Sequence, residues 1–184
     1  LTSLKKIFDK YKRNIIHAKK INTHGGSIRV YAVKNKKKIA NKNVKKILKI
    51  ESKKINLKNI KKFRQDVINS KIELMSLLKK IKKNNNKIFG VGAPSRASTL
   101  VNYTGLDSNI VDCICEIKGS HKIGHYLPGT KIPILSEWLI YKLKPQFILF
   151  FSWHIAKDLI KIFKRKGYRG KFIIPLPKPR IISG

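Results

Sequence analysis

The second half of the sequence alternates short β-prone segments with helical ones, and this alternation constrains the fold more than any other feature. The predicted strands are residues 87–91, 110–115, 146–151 and 171–174, and the predicted helices are residues 95–103, 136–141 and 155–165. Strands that alternate with helices form a parallel sheet covered on both faces. The nearly continuous apolar run 147–151 is typical of a central strand in such a sheet. We therefore predict an α/β fold with a mostly parallel, Rossmann-like sheet and flanking helices.

The first half predicts a different arrangement. An opening helix over 3–13 carries an apolar stripe that needs a packing partner, so we expect the chain to begin within a larger protein. Two β-prone segments, 15–21 and 27–33, flank a glycine turn and predict a hairpin-like pair. A basic loop is expected over 34–43. A long amphipathic helix follows over 57–83, with Asn69 and Ser70 as a candidate break.

The strongly basic composition bears on the choice of partner. The chain has 43 Lys and Arg against 9 Asp and Glu, a formal charge of +34, which attracts polyanions. Lysine nevertheless accompanies isoleucine and asparagine along the whole chain and forms no single basic block. Because all three residues have A/T-rich codons, genome composition explains the bias equally well. Nucleic acid is therefore not the expected partner, although a non-catalytic polyanion-binding protein stays as the alternative.

Other partners and cofactors leave few signals in the sequence. No apolar segment approaches the roughly 20 residues that cross a bilayer, so we expect no membrane partner; binding of the basic helix to a membrane surface is the weaker alternative. Cys113 and Cys115 lie in a predicted strand and indicate core thiols in a reducing cytoplasm. His121 and His125 lack neighbouring thiols, so no metal site is predicted.

A glycine-containing turn follows the first predicted strand of the second half. In the segment Gly90-Val91-Gly92-Ala93-Pro94-Ser95-Arg96, N–H groups at a helix N-terminus are positioned to hold a phosphate or carboxylate. The full dinucleotide fingerprint is absent, because Ser95 stands where a third glycine is required. The alternative is a turn that serves packing alone, with Ser95 as the helix N-cap.

Two further polar segments are candidate ligand sites. His24, Gly25, Gly26 and Ser27, with Arg29, are typical of an anion nest beside a guanidinium. Composition alone favours the simpler alternative, a hairpin turn with an exposed histidine. The loop 118–129 follows a strand end and offers cations and aromatic faces to a nucleotide.

Five segments in order resemble the C-terminal domain of S-adenosylmethionine-dependent C-methyltransferases that act on nucleotide-linked deoxysugars. These segments are residues 24–31, 90–96, 99–103, 126–134 and 171–177. The resemblance implies a nucleotide-diphosphate sugar as the ligand. The substrate-binding residues that we assign are His24, Gly25, Gly26, Ser27, Arg29, Gly92, Pro94, Ser95, Arg96, Asn102, Tyr103, Lys122 and Tyr126. Arg29 and the turn 92–96 are expected at the diphosphate, with Lys122 and Tyr126 around the nucleotide or sugar.

The resemblance also implies that different segments of the chain belong to different functional domains. We expect residues 1–40 to end a preceding methyltransferase domain, 41–86 to form a basic helical connector, and 87–184 to form the Rossmann-like substrate-side domain. The family's zinc-binding segment, its cofactor loop and its catalytic Glu-His pair do not appear in this sequence. We therefore assign no catalytic, cofactor-binding or metal-binding residue, and expect the chain to be inactive alone. An upstream or separate domain would bind S-adenosylmethionine.

Three positions depart from the family pattern. Val91 stands where Tyr or Phe is usual, Arg96 where Lys is usual, and Glu116 where Asp is common. Arginine keeps the positive charge but changes its geometry, so the resemblance leaves the identity of the sugar open.

Overall fold

The computed structural model describes residues 1–34 and 40–184. These residues form two compact units, Leu1–Gln65 and Asp66–Gly184. Part of the basic loop predicted over 34–43, residues 35–39, lies outside the described residues.

The first unit is built on a β-hairpin. Its elements are helix α1 (Thr2–Lys10), strands β1 (Asn14–Ile21) and β2 (Ser27–Val33), and helix α2 (Lys42–Lys54). β1 and β2 are antiparallel and a 3-10 turn joins them, which confirms the predicted hairpin. Ile15 and Ala18 of β1 are buried with Val44 and Ile47 of α2. The predicted loop was wrong at its end, because α2 begins at Lys42, where the Asn41 side chain accepts from an N–H of the first turn.

Helix α3 (Leu57–Lys83) starts in the first unit and ends in the second. It is continuous for 27 residues, so no break occurs at the candidate position. The Ser70 hydroxyl donates to the Val67 carbonyl at 2.9 Å, which accommodates the polar side chain within the helix. Among residues 1–34 and 40–184, no helix has the length and apolar character needed to cross a bilayer.

The second unit contains the predicted α/β sheet. Its further elements are β3 (Ile88–Val91), α4 (Ser95–Thr104), β4 (Cys113–Glu116), β5 (Ile134–Ser136), α5 (Trp138–Leu143), β6 (Phe147–Phe150), α6 (Ala156–Arg165), β7 (Lys171–Ile174) and β8 (Arg180–Ile182). The strand order is β5-β4-β3-β6-β7-β8. All neighbouring pairs are parallel except β7 and β8, which confirms a mostly parallel sheet.

Helices cover both faces of this sheet. β6 shows why, because its four residues are all buried and alternate between two apolar clusters. Phe147 and Leu149 face the cluster that contains α4 and the C-terminal part of α3. Ile148 and Phe150 face the cluster that contains α5 and α6. The prediction of a doubly covered central strand is confirmed.

The predicted core cysteines share one face of β4. Cys113 and Cys115 are buried thiols in the α5/α6 cluster, with their sulfur atoms 3.9 Å apart. The neighbouring thiol and burial together raise the pKa of Cys115. Both side chains therefore act as small apolar core residues.

The start of β4 and the presence of β5 and β8 differ from the prediction. β4 begins at Cys113 rather than at residue 110, because the N–H groups of Ile110 and Val111 bond to Asp107 in a turn. β5 and β8 were not predicted as strands. Each is three residues long and is a strand only through pairing with a neighbouring strand, β4 for β5 and β7 for β8.

Candidate functional site

The sheet changes its direction of growth at β3. The chain passes from β3 to β4 and β5 on one side, and then to β6 and β7 on the other. In open α/β sheets, ligands bind outside the carboxyl ends of the strands at such a switch point. Three segments leave the strands there: residues 92–96 after β3, 117–133 after β4 and 151–154 after β6.

The turn after β3 uses its first N–H groups internally. Gly92 has φ +81°, and a Cβ at this position would lie 2.9 Å from the Ser152 hydroxyl, so glycine is needed here. The Gly92 N–H donates to the Cys115 carbonyl at 3.0 Å, and the Ala93 N–H donates to Glu116 Oε1 at 2.6 Å. These two groups bind β4 and do not point at a ligand.

The remaining anion-binding capacity of this turn lies in the first turn of α4. Pro94 is the N-cap and has no N–H, and Ser95 is the first helical residue. The alternative that made Ser95 the N-cap is therefore wrong, since the side chain makes no capping bond. The N–H groups of Ser95 and Arg96 have no acceptor within the helix. They and the exposed Ser95 hydroxyl are available to a phosphate.

Lys122 connects the loop after β4 to this turn. Its ammonium group donates to the Ala93 carbonyl at 2.8 Å and lies 3.7 Å from Glu116 Oε1. Glu116 and Lys122 thus hold the N–H and the C=O of Ala93 respectively. Lys122 was predicted to bind the ligand and Glu116 was given no role, so this clamp was not predicted. An acidic residue at a strand end beside a glycine turn was the available signal.

A cavity of about 370 Å³ opens between α4 and the loop after β4. It is lined by Ala93, Ser95, Ser98, His121, Lys122, His125, Tyr126, Leu127, Pro128 and Ile134. Tyr126 is 63% exposed, so its ring presents an open aromatic face. The cavity brings together three of the predicted site residues, Ser95, Lys122 and Tyr126. It adds two histidines and a serine that the sequence analysis had not assigned to the substrate.

Asn102 holds the wall of this cavity in place. Its side-chain amide donates to the Ser98 carbonyl at 2.8 Å and to the Pro128 carbonyl at 2.9 Å. The backbone of Gly129 packs against this amide, because a Cβ at Gly129 would overlap the Asn102 side chain. Asn102, which was predicted to bind substrate, thus fastens the loop to α4.

Two other predicted residues lie outside the cavity lining. Arg96 Nη1 is 3.2 Å from His154 Nδ1, and the guanidinium lies 5.7 Å from the centre of the Trp153 ring. Arg96 therefore links the turn after β3 to the segment after β6. Tyr103 is at the end of α4, where the Lys71 ammonium lies 5.1 Å from the ring centre.

The remaining predicted residues belong to the first unit. His24 and Gly25 lie in the 3-10 turn, Gly25 and Gly26 both have positive φ, and the Gly26 N–H donates to the Thr23 carbonyl at 2.9 Å. The Ser27 hydroxyl donates to the Thr23 carbonyl at 3.0 Å. Arg29 is exposed on β2, opposite Lys19.

The switch point does not fit S-adenosylmethionine or a dinucleotide. In this fold an acidic residue beyond the first helix binds the ribose hydroxyls, and a glycine turn leaves N–H groups open to the ligand. Here the carboxylate of Glu116 is bonded to Ala93 and paired with Lys122, and the N–H groups of the turn face β4. Among the described residues no group of three or more His, Cys, Asp and Glu is placed to hold a metal ion.

Comparisons with known proteins identify a family and a relative for this chain. The family described as "C-methyltransferase C-terminal domain" matches residues 22–177. A relative, the C-methyltransferase NovU of Streptomyces niveus, is 32% identical over 114 residues, which cover 60% of this chain. The matched region covers only 26% of the length of that relative. All thirteen predicted substrate residues lie within the family match. The chain belongs to the family of C-methyltransferase C-terminal domains.

Proposed function

We propose that this chain is the substrate-side part of an S-adenosylmethionine-dependent C-methyltransferase and binds a nucleotide-linked keto-deoxysugar. The observation that carries the proposal is the cavity beside the switch point, which combines helix N–H groups, a hydroxyl, a lysine and an exposed aromatic ring. These groups are complementary to a diphosphate joined to a nucleoside. The relative NovU is itself a C-methyltransferase, which supports the assignment.

The diphosphate would bind at the N-terminus of α4. The N–H groups of Ser95 and Arg96 and the Ser95 hydroxyl are the donors there, and the helix dipole favours the negative charge. Lys122 supplies a positive charge at the same cavity, although its ammonium group is already bonded to Ala93. Its main contribution would therefore be to hold the turn that presents these donors.

The nucleoside would lie along the loop after β4. Tyr126 offers its exposed ring for stacking, and His125 is beside it in the cavity wall. Asn102 would keep this wall at a fixed distance from α4. These residues orient the ligand and perform no proton transfer.

The chemical step would take place at the sugar. In the proposed reaction a base removes the proton next to the keto group, and S-adenosylmethionine supplies the methyl group. We assign both the base and the cofactor site to an upstream or separate domain. The contribution of this chain is orientation, so we expect it to be inactive alone. The buried thiols of Cys113 and Cys115 are compatible with a cytoplasmic location, which we also propose.

The test is isothermal titration of the purified chain with dTDP and with S-adenosylmethionine at about 0.15 M ionic strength, where the Debye length is roughly 8 Å. We expect dTDP to bind and S-adenosylmethionine not to bind. Ser95→Ala should weaken dTDP about tenfold, the equivalent of roughly 1.4 kcal/mol, since a hydrogen bond to a charged phosphate is lost. Lys157→Gln, which removes an exposed charge on α6, tests separately whether net charge alone changes the affinity for dTDP.

The competing proposal is a polyanion-binding protein, which the charge of +34 favours. It predicts affinity for nucleic acid that falls steeply with salt and ignores the base. That result, together with no binding of dTDP, would replace the nucleotide-sugar proposal. Arg29→Gln tests separately whether the cluster formed by residues 24–27 and Arg29 in the first unit contributes to dTDP binding.

A further inference from the structure

A second cavity lies on the α5/α6 face of the sheet. It has a volume of about 510 Å³ and is lined by residues after β4 and β5, by α5 and by the segment after α6. Two large apolar side chains border it and are mostly exposed: Trp138 at 59% and Ile117 at 66%. Isolated exposed apolar residues are common, but a tryptophan and an isoleucine on one concave surface indicate a binding site for a ring.

The floor of this cavity includes an unsatisfied hydroxyl. Within residues 1–34 and 40–184, the Tyr141 hydroxyl oxygen is a buried side-chain polar atom with no hydrogen-bonding partner. Its ring is fixed by near-parallel packing on Phe163, with ring centres 6.2 Å apart and an interplanar angle of 17°. Buried polar groups in native proteins nearly always have a partner. The Glu137 carboxylate lies near this hydroxyl without forming a hydrogen bond of good geometry, so a ligand anion that displaces it would gain the hydroxyl as a donor.

Two lysines and one glutamate line the same cavity, so positive charge is in excess there. Lys118 and Lys166 line it, and Lys166 forms an ion pair with Glu137 at 2.6 Å while lying 5.8 Å from the centre of the Tyr141 ring. The Lys166 side chain is 52% exposed. The Glu137 side chain is only 17% exposed, so an incoming anion would reach this pair from its exposed lysine end and compete there with the carboxylate. An anion bound to Lys166 would lie beside the Tyr141 ring.

We propose that this cavity binds a planar ring that carries a carboxylate or a phosphate. The ring packs between Trp138 and Ile117, and the anionic group binds Lys118 and Lys166 and accepts a hydrogen bond from Tyr141. An aromatic carboxylate and a nucleoside monophosphate share this chemistry.

This site is separate from the proposed substrate cavity. The substrate cavity is lined by Leu127 and Ile134, which belong to the α3/α4 cluster. Tyr141 packs against the cluster on the other face of the sheet. The two ligands therefore occupy different faces, and the second site does not depend on the proposed function.

The experiment follows the indole N–H signals of the two tryptophans by NMR, assigned with Trp138→Phe and Trp153→Phe. The ¹⁵N-labelled chain is titrated separately with 1-naphthoate, with uridine 5′-monophosphate and with uncharged 1-naphthylmethanol. We expect at least one anion to shift the Trp138 signal saturably with a Kd of about 1 mM or tighter. Saturation by naphthoate alone identifies an aromatic carboxylate, and saturation by the nucleotide identifies a phosphate-bearing ring. The uncharged alcohol should bind at least about tenfold more weakly.

Variants decide whether the assigned groups make the contacts. Tyr141→Phe and Lys166→Gln should each weaken the bound anion about tenfold, while Lys157→Gln should leave its affinity unchanged. Circular dichroism of each variant confirms that it is folded. A Trp138 signal that no anion moves, or equal affinities in wild type and Tyr141→Phe, would overturn the proposal. Ser95→Ala, which changes the substrate cavity alone, should leave the affinity measured at the Trp138 signal unchanged, and this keeps the outcome distinct from that of the substrate cavity.

Discussion

The Ala93 N–H donates to Glu116 Oε1 at 2.6 Å, and this bond ties the turn after β3 to the end of β4. Lys122 completes the arrangement by binding the Ala93 carbonyl at 2.8 Å. One peptide unit is thus held from both sides by side chains of opposite charge. The shape of the switch point depends on this pair, because the same turn positions the N-terminus of α4.

Replacing Glu116 should therefore destabilise the second unit. Glu116→Ala removes a charge-assisted hydrogen bond to a buried N–H, and we expect a loss of about 1.5–3 kcal/mol in the free energy of unfolding. Glu116→Gln keeps an acceptor oxygen and should lose clearly less. Urea unfolding followed by tryptophan fluorescence measures this, since Trp138 and Trp153 both lie in the second unit. Equal stabilities of Glu116→Ala and wild type would show that the clamp contributes nothing.

Gly90 is required by packing within β3. A Cβ there would lie 2.5 Å from Cε2 of Phe151 and 3.0 Å from Cγ1 of Ile114, both buried. Gly90→Ala should cost about 1–3 kcal/mol of unfolding free energy through overpacking. Phe151→Leu in the same chain should recover part of that cost, which a double-mutant cycle measures. The space around Gly105 is open, so Gly105→Ala should show no such rescue.

Tyr141 and Tyr168 both have buried hydroxyls, and these differ in their hydrogen bonding. The Tyr168 hydroxyl donates to the Pro145 carbonyl at 2.9 Å, whereas the Tyr141 hydroxyl has no hydrogen-bonding partner in the described part of the chain. Tyr168→Phe should lose about 1 kcal/mol, while Tyr141→Phe should be neutral or gain up to about 1 kcal/mol. Thermal unfolding of the two variants gives the comparison. A larger loss of stability in Tyr141→Phe than in Tyr168→Phe would mean that the Tyr141 hydroxyl already has a hydrogen-bonding partner in solution.

The stability of the second unit should fall at alkaline pH, in part through Tyr141. Burial, and then the nearby Glu137 carboxylate, raise the pKa of Tyr141 from 10.0 to about 12. The folded state therefore keeps a proton that the unfolded state has released, so this contribution is complete below pH 10 and is lost as pH rises to about 12. Unfolding free energies of wild type and Tyr141→Phe should diverge across this interval. Titration of Tyr168 is common to both proteins and cancels in the difference.

Asn102 should affect ligand binding more than stability. Asn102→Ala removes the bond to the Pro128 carbonyl and releases the loop that carries Tyr126. We expect dTDP affinity to fall about tenfold while the unfolding free energy changes by less than about 1.5 kcal/mol. Calorimetric titration beside urea unfolding separates the two effects. Unchanged affinity would show that the loop does not contact the nucleotide.

The sequence predicted the elements whose residues carry their own pattern. The run of β6 is apolar at every position, and α6 has apolar residues at helical spacing, so both could be found without a partner. β5 could not, because Ile134–Ser136 is a strand only by pairing with β4. β8 follows a proline-rich segment and pairs antiparallel with β7 in the same context-dependent way.

The residues of the candidate site could also be predicted only in part. Ser95 and Tyr126 were predicted from a strand-turn-helix motif and a loop at a strand end, and both line the cavity. Lys122 was assigned to the ligand, but its nearest acceptor is a carbonyl 29 residues earlier in the chain. A contact of that range is set by the fold, and local residue type does not reveal it.

Both edges of the six-stranded sheet are strands of only three residues, Ile134–Ser136 and Arg180–Ile182. The first is partly covered, because Tyr126 bridges to Pro133 and the N–H of Ile134 bonds to the His125 carbonyl. The second carries an exposed arginine. Short, covered or charged edges give another chain little backbone to pair with. Together with mutual repulsion at +34, they should keep this protein from joining sheets edge to edge at high concentration.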